Sequence, residues 1–361
     1  MSGQDRLDRI RLARSHNVGP VAYRHLLMRY GSAEEALRAL PVLAARGGSR
    51  ALRIADERTV AKEIAAVERI GGRHILIGDA DYPPLLAESA APPPVLMARG
   101  SVRSDARATI AMVGARNASA AACRFARMLA QDLGARSGLV VSGLARGIDT
   151  AAHMGSIGSG TVAVIACGLD IAFPPENAQL QDRIADEGLL LTEHPPGTDP
   201  LARHFPARNR IIAWMSQGTV VVEAAPRSGS LLTARLAAEE GREVMAVPGF
   251  PLDPRAQGCN ALIREGATLV QSADDVMEAV GRIDPRALAE PATPYTAQPA
   301  DDLEERDRGR IVGLLSMAPV AVDEIVRLSG CAPAIVQTAL LELELAGRLR
   351  RHAGGRVSLD P

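Results

Sequence analysis

Three segments of the chain combine glycine, hydroxyl and arginine in a pattern suited to holding anions. They are Gly114-Ala115-Arg116-Asn117-Ala118-Ser119, Ser142-Gly143-Leu144-Ala145-Arg146-Gly147-Ile148-Asp149 and Arg227-Ser228-Gly229-Ser230-Leu231-Leu232-Thr233. Each follows a short apolar run and opens a helical pattern. Glycine lets backbone N–H groups approach a phosphate closely, a helix start adds partial positive charge, and arginine adds a full one. At one sheet edge the three would form an extended rim, better matched to a ligand with several phosphates than to a mononucleotide. Glycines here also serve tight strand-to-helix turns whatever binds. No Gly-x-Gly-x-x-Gly follows a strand, so no dinucleotide is expected, nor any other cofactor.

A fourth segment, His204-Phe205-Pro206-Ala207-Arg208-Asn209-Arg210-Ile211-Ile212-Ala213, opens a core-packed helix with two arginines flanking an asparagine. Cations at a helix start oppose its dipole, and an anion beside them is the simplest compensation. Ion pairs with Glu193 or Glu223 are the alternative. Among 41 basic residues the only lysine is Lys62, so the Walker phosphate loop, which needs one after its second glycine, is excluded. Arginine grips phosphate with a planar fork and stacks on bases.

The elements that must position these segments follow from periodicity. Residues 1–73 carry helical spacing, as in Leu7, Ile10, Leu12 and Leu26, broken by Asn17-Val18-Gly19-Pro20 and Tyr30-Gly31-Ser32. Residues 74–283 alternate helices with the short runs ATIAMVG, GLVVSG, TVAVIAC, GLLLTE, TVVVEA and EVMAVPG. Nearly continuous apolar strands between helices imply an α/β fold with a parallel, Rossmann-like sheet buried on both faces. The proline-dense stretch DADYPPLLAESAAPPPVLMARG is expected to add an element at the sheet edge. Residues 284–304, rich in Pro, Ala and acid, read as a linker, and 305–361 as three helices and a hairpin, a winged helix-turn-helix.

The 361 residues are 47% hydrophobic, too many for a single core, and the net charge of −1 leaves any nucleic-acid site to a local patch. Cys123, Cys167, Cys259 and Cys331 show no metal or disulfide spacing and read as small buried residues. No apolar run approaches the roughly 18 residues of a membrane span, so no membrane partner and a cytoplasmic location are expected. Nine aromatic residues are too few for base stacking to dominate binding. Phe205 lies inside a basic motif, whereas Trp214 reads as core.

The strings VGARNAS, VVSGLARGIDTAAH, FPARNRIIAWMS, VVVEAAPRSGSLLTARLAAEEGREVMAVPG and QGCNALIREGATLV resemble the successive signature motifs of the DprA family, in order over roughly residues 74 to 272. The resemblance implies a sterile-alpha-motif-like N-terminal domain and a C-terminal winged helix. It implies non-catalytic binding of single-stranded DNA, dimerisation, and loading of the RecA recombinase during natural transformation. Carried onto this chain, the foremost DNA-contacting candidates are Gly114, Arg116 and Arg208. Ser119, Gly143, Arg146, Gly147, Phe205, Asn209, Arg210, Ser228, Gly229 and Ser230 complete the set. Asp149, as a helix cap, His153 and Phe173 are expected to be architectural.

Two rival readings have distinct signatures. A Lonely-guy-type hydrolase of nucleoside monophosphates carries a catalytic glutamate after its glycine-rich loop, and the loop Pro226–Thr233 has none. A transcription regulator would read duplex DNA through CAPAIVQTALLELELAG, which is acidic and nearly devoid of basic side chains. Protein contacts or weak duplex binding suit that helix better.

Overall fold

The computed structural model describes residues 2–48, 52–102, 108–281, 303–352 and 354–360. Residues 284–302 of the expected linker lie outside them. The described residues form two compact units, one within 1–62 and 290–361, the other within 63–289.

The second unit is a nine-stranded sheet. Seven strands run parallel: β3 (Ala108–Gly114), β4 (Gly138–Ser142), β5 (Thr161–Val164), β6 (Leu189–Thr192), β7 (Gly218–Val222), β8 (Glu243–Ala246) and β9 (Thr268–Leu269). The proline-dense stretch does extend the sheet. Its β2 (Val95–Gly100) pairs antiparallel with β6, and β1 (Gly72–Leu76) pairs antiparallel with β2. The spatial order is β1-β2-β6-β5-β4-β3-β7-β8-β9.

Strand alternation explains burial on both faces. Along β3, Ala111 and Val113 join one core with Val141, Val164, Ile211 and Val221. Ile110 and Met112 join the opposite core with Leu129, Leu133, Val140 and Val220. Side chains of period two feed two separate cores, so the run must be apolar throughout. The helices of this unit include α5 (Pro84–Ala87), α6 (Ala120–Ala135), α7 (Ile148–Ser156), α8 (Ala178–Glu187), α9 (His204–Trp214), α10 (Gly229–Glu239), α11 (Gln257–Arg264) and α12 (Ala273–Gly281). From β3 the chain builds outward through β4, β5 and β6, then returns to β3's other side with β7. Strand order therefore reverses between β3 and β7, and in open α/β sheets the ligand crevice lies beyond the carboxyl ends at such a point.

The first unit holds the helices α1 (Gly3–Arg14), α2 (Pro20–Tyr30) and α3 (Ala33–Arg46), and α4 (Glu57–Arg69) begins in it. Pro20 opens α2, Gly31 ends it at φ 75°, and the Ser32 hydroxyl caps α3 by accepting from the Glu35 N–H at 3.2 Å. The same unit contains the winged helix: α13 (Glu305–Gly313), β10 (Val320–Ala321), α14 (Val322–Ser329), α15 (Pro333–Leu345), β11 (Leu349–His352) and β12 (Arg356–Leu359). The expected hairpin gains β10 as a third strand, in the order β10-β12-β11. Of the cysteines, Cys167 and Cys259 are buried, Cys123 and Cys331 half-buried, and all are free thiols. No single helix among the described residues is long and apolar enough to cross a membrane.

Candidate nucleic-acid interface

The loops beyond β3, β4 and β7 surround two adjoining cavities at the point where strand order reverses. The larger, of about 450 Å³, is lined by Gly114, Arg116, Arg208, Asn209, Ser228, Gly229 and Ser230, together with Asp149, Thr233 and Arg255. The smaller, of about 110 Å³, is lined by Gly143, Arg146, Phe173, Phe205, Arg116 and Arg208. Arg116 and Arg208 belong to both and form the wall between them.

Arg116 is exposed, and its guanidinium lies over the Phe205 ring, 5.2 Å from the centroid. Phe205 in turn packs against Phe173 at 5.7 Å between centroids. Phe173, expected to be a packing residue, is 38% exposed on the cavity wall. The sequence signal for it was an aromatic before two prolines, which does not say which way the ring faces.

Arg208 sits beneath this surface, only 4% exposed. Its Nη1 donates to the Val164 carbonyl at 3.0 Å, and its buried Nε has no hydrogen-bond partner among the described residues. Burial lowers its pKa, against the attraction of Asp149. The Asp149 carboxylate accepts from the N–H groups of Gly143 at 3.2 Å and Ala145 at 3.3 Å. It therefore braces the loop before α7, and does not cap that helix. Burial pushes the Asp149 carboxyl up, opposed first by the Arg208 charge and then by these amides and Arg116. One buried carboxylate thus faces two arginines, leaving net positive charge at the cavity wall.

Only one of the three expected helix starts remains open. At α6, the Ser119 hydroxyl accepts from the Ala122 N–H at 3.1 Å, and the Ser119 N–H donates to Glu223 Oε2 at 2.7 Å. Ser119 is a helix cap, and a carboxylate of the chain already sits where a phosphate was expected. Glu223 reaches it from the end of β7 with a left-handed backbone at φ 55°. At α7, the Ala115 carbonyl accepts from the Ile148 N–H at 3.3 Å. Gly147 is pressed there at φ 73°, with a hypothetical Cβ only 2.3 Å from the Ala115 oxygen. At α10, by contrast, Ser228 makes no side-chain cap and its hydroxyl pairs with that of Ser230 at 2.6 Å. Gly229 has open space where a side chain would begin.

Gly114 and Gly143 line the cavities, yet neighbouring protein atoms are what forbid a side chain. A Cβ on Gly143 would fall 1.4 Å from Arg208 Nη1, and one on Gly114 would fall 2.0 Å from the Val222 carbonyl oxygen. Arg210 faces elsewhere: it donates to Glu193 at 2.5 Å and to the Ala91 carbonyl at 3.1 Å, and lies over Trp214. The ion-pair alternative thus holds for this arginine. Trp214 is half-buried, donating to the Leu236 carbonyl at 3.2 Å. Arg146 is exposed and paired with Glu176. Asn209 donates to the Gly229 carbonyl at 3.3 Å and so ties α9 to the open start of α10. Arg255, which the sequence reading missed, enters from the loop before α11 and is held by Asp253 at 2.8 Å. Nothing in its local sequence separates it from other surface arginines.

His153, one turn into α7, is buried, its Nδ1 hydrogen-bonded to Thr161 Oγ1 at 2.8 Å. Burial and the nearby Arg208 charge lower its pKa from 6.5 to about 3, so the folded protein keeps it neutral. The unfolded chain takes up that proton below pH 6.5, so stability falls with pH from there towards about 3, by roughly 1.4 kcal/mol per pH unit. Urea unfolding at pH 7.5, 6.0 and 5.0 will show a steeper loss for the wild type than for His153→Gln. Equal slopes would mean that His153 is already charged in the fold.

Comparison with known proteins agrees with this architecture. Residues 73–281 match the family model for DNA recombination-mediator protein A, residues 3–66 that of the DprA-like N-terminal HHH domain, and residues 291–355 that of the DprA winged helix domain. Protein Smf of Synechocystis is 33% identical, the alignment covering 94% of this chain and 95% of that protein. The crystal structure of DNA processing protein A from Streptococcus pneumoniae superposes with a TM-score of 0.65 at 36% identity, covering 77% of this chain and 98% of the other. DNA processing protein A from Helicobacter pylori, described for its single-stranded DNA binding mode, gives 0.52 at 25% identity over 57% of this chain and 94% of the other. With its central domain, both flanking domains and a nearly full-length relative matched, the chain belongs to the DprA (Smf) family of DNA recombination-mediator proteins.

Proposed function

We propose that the protein binds single-stranded DNA without chemical turnover, at the double cavity walled by Arg116 and Arg208. The observation that carries this reading is the pairing of an open helix start and arginines in one cavity with a ring pair in the next. A phosphate at α10 would meet the N–H groups of Gly229 and Ser230, which have no hydrogen-bond partner among the described residues, and the positive charge left around Asp149. The adjoining base would lie against Phe173 and Phe205, and base–aromatic stacking contributes roughly 1–3 kcal/mol. Few aromatics are needed if two of them share one base site. Duplex DNA keeps its bases stacked inward and cannot offer one to the smaller cavity.

The described geometry gives the hydrolase reading no support. Asp149 is buried against loop amides, and Glu223 is bound to the Ser119 N–H. Family membership supports the further steps we propose: a homodimer that hands strands to RecA in the cytoplasm during recombination or natural transformation. Arg146, Gly143, Asn209, Ser228, Gly229, Ser230 and Arg255 complete the proposed strand-contacting surface.

Fluorescence anisotropy with a labelled oligonucleotide, single-stranded or annealed, at two salt concentrations tests the reading. Single strands are expected to bind tighter than duplex, with an affinity that falls as salt rises and varies little with sequence. Equal affinity for both forms would remove the proposed role of the smaller cavity.

A further inference from the structure

Helix α15 occupies the position from which winged-helix proteins usually insert a helix into the major groove. Here it is buried along two opposite faces. Val336, Ala339, Leu340 and Leu343 face the core of the winged helix, with Ile311, Ile325 and Val357. Thr338, Leu341, Glu342 and Leu345 fall on the other side at helical spacing and are equally buried. A helix apolar on both sides must be covered on both sides.

The cover is the N-terminal helical domain. Arg29 of α2 donates to Thr338 Oγ1 at 3.0 Å, and Asn17 Nδ2 donates to the Leu345 carbonyl at 3.0 Å. Gly47, just after α3, comes so close that a Cβ on it would fall 1.9 Å from the Glu342 carbonyl oxygen. The wing is likewise engaged. Arg348 donates to the Gly47 carbonyl at 3.2 Å, Arg350 pairs with Asp360 at 2.7 Å, and Arg351 pairs with Glu344 at 2.7 Å. Glu342 pairs with Arg308 at 2.9 Å. Helix α15 thus offers DNA no free face, and Arg348, Arg350 and Arg351 of the wing are each already held by a carbonyl or carboxylate of the chain, in competition with any phosphate.

We propose that α15 is a docking helix whose resident partner is the chain's own N-terminal helical domain, so that the two ends of the chain fold as one unit and the winged helix makes no duplex contact. The proposal is independent of the strand-binding reading, whose residues all belong to the other unit.

Gly47→Ala is the clean test. The backbone of Gly47 is right-handed helical at φ −74° and ψ −6°, so alanine suits it locally and disturbs only the approach to Glu342 and Ala346 at the end of α15. Overpacking of one group against backbone should weaken docking by roughly 5- to 150-fold. Leu341→Gln, outside the winged-helix core, is the second variant. Hydrogen exchange on the full chain is expected to lose protection in both α2–α3 and α15 in each variant, with single-strand affinity unchanged and no duplex affinity gained. Unchanged exchange in both variants would overturn the docking. Duplex DNA that protects α15 from exchange in the wild type, or that binds more tightly once α15 is released, would overturn the assignment of its partner.

Discussion

Replacing Arg208 with methionine is expected to destabilise the α/β unit by roughly 3–5 kcal/mol, a far larger effect than loss of an exposed contact. The substitution keeps the aliphatic stem and removes the larger of the two positive charges that compensate Asp149, the other being Arg116. Asp149 is 6% exposed, and what remains to it are two loop amides at 3.2 and 3.3 Å and the weaker attraction of the exposed Arg116. Without Arg208 its carboxyl must either stay charged in a poorly solvated site or take up a proton. Burial opposes the charged form of both partners, so the pair itself adds little net stability. Its value lies in fixing one arrangement of the loop before α7. Urea unfolding should therefore show the double variant Asp149→Asn/Arg208→Met less destabilised than the sum of the two singles. Additive losses would show that the two groups do not interact. Arg208→Met will also lose single-strand affinity.

The pair also shows where reading the sequence succeeds and where it stops. The parallel sheet was legible because Ile110 and Met112, alternating with Ala111 and Val113, feed two cores, a local property of the run. The loops were legible as small-residue turns leading into helices. Which of them stay open was not, because distant residues close two of them. Glu223 fills the start of α6 across more than a hundred positions, and the Ala115 carbonyl fills the start of α7. The glycines are read in the sequence as making room for a phosphate, whereas the fold itself already requires them. Gly143 makes room for a buried guanidinium, and nothing in its local context announces that Arg208 will arrive from α9. Arg208 and Arg210 look alike in sequence, yet residues two apart on a helix point some 200° apart. One enters the cavity wall and the other meets Glu193. The second buried face of α15 is written in LLELEL, although reading that run as one helix of a winged helix-turn-helix passes over it. Leucines at adjacent and alternate positions cannot all face a single core.

Arg116 is the residue whose loss should cost the most binding with the least cost in stability. It is exposed, no described carboxylate forms an ion pair with it, and Phe205 supports its planar face. Arg116→Ala is expected to weaken single-strand binding by about 10- to 150-fold, the range for a hydrogen bond to a charged group. It should also reduce the slope of log affinity against log salt by roughly 0.7 to 1, as when one phosphate contact is lost. Arg116→Lys separates charge from shape. Lysine keeps the positive charge, so the salt slope should remain, but it lacks the flat fork that rests on Phe205 and grips phosphate with two donors. Affinity should therefore fall between those of the wild type and Arg116→Ala at every salt concentration. Phe205→Leu leaves the guanidinium without its aromatic seat and should lower affinity at an unchanged slope. If Arg116→Ala left the slope intact while lowering affinity, its guanidinium would be stacking on a base. The phosphate path would then run only past α10 and Arg255, and the smaller cavity alone would hold Arg116.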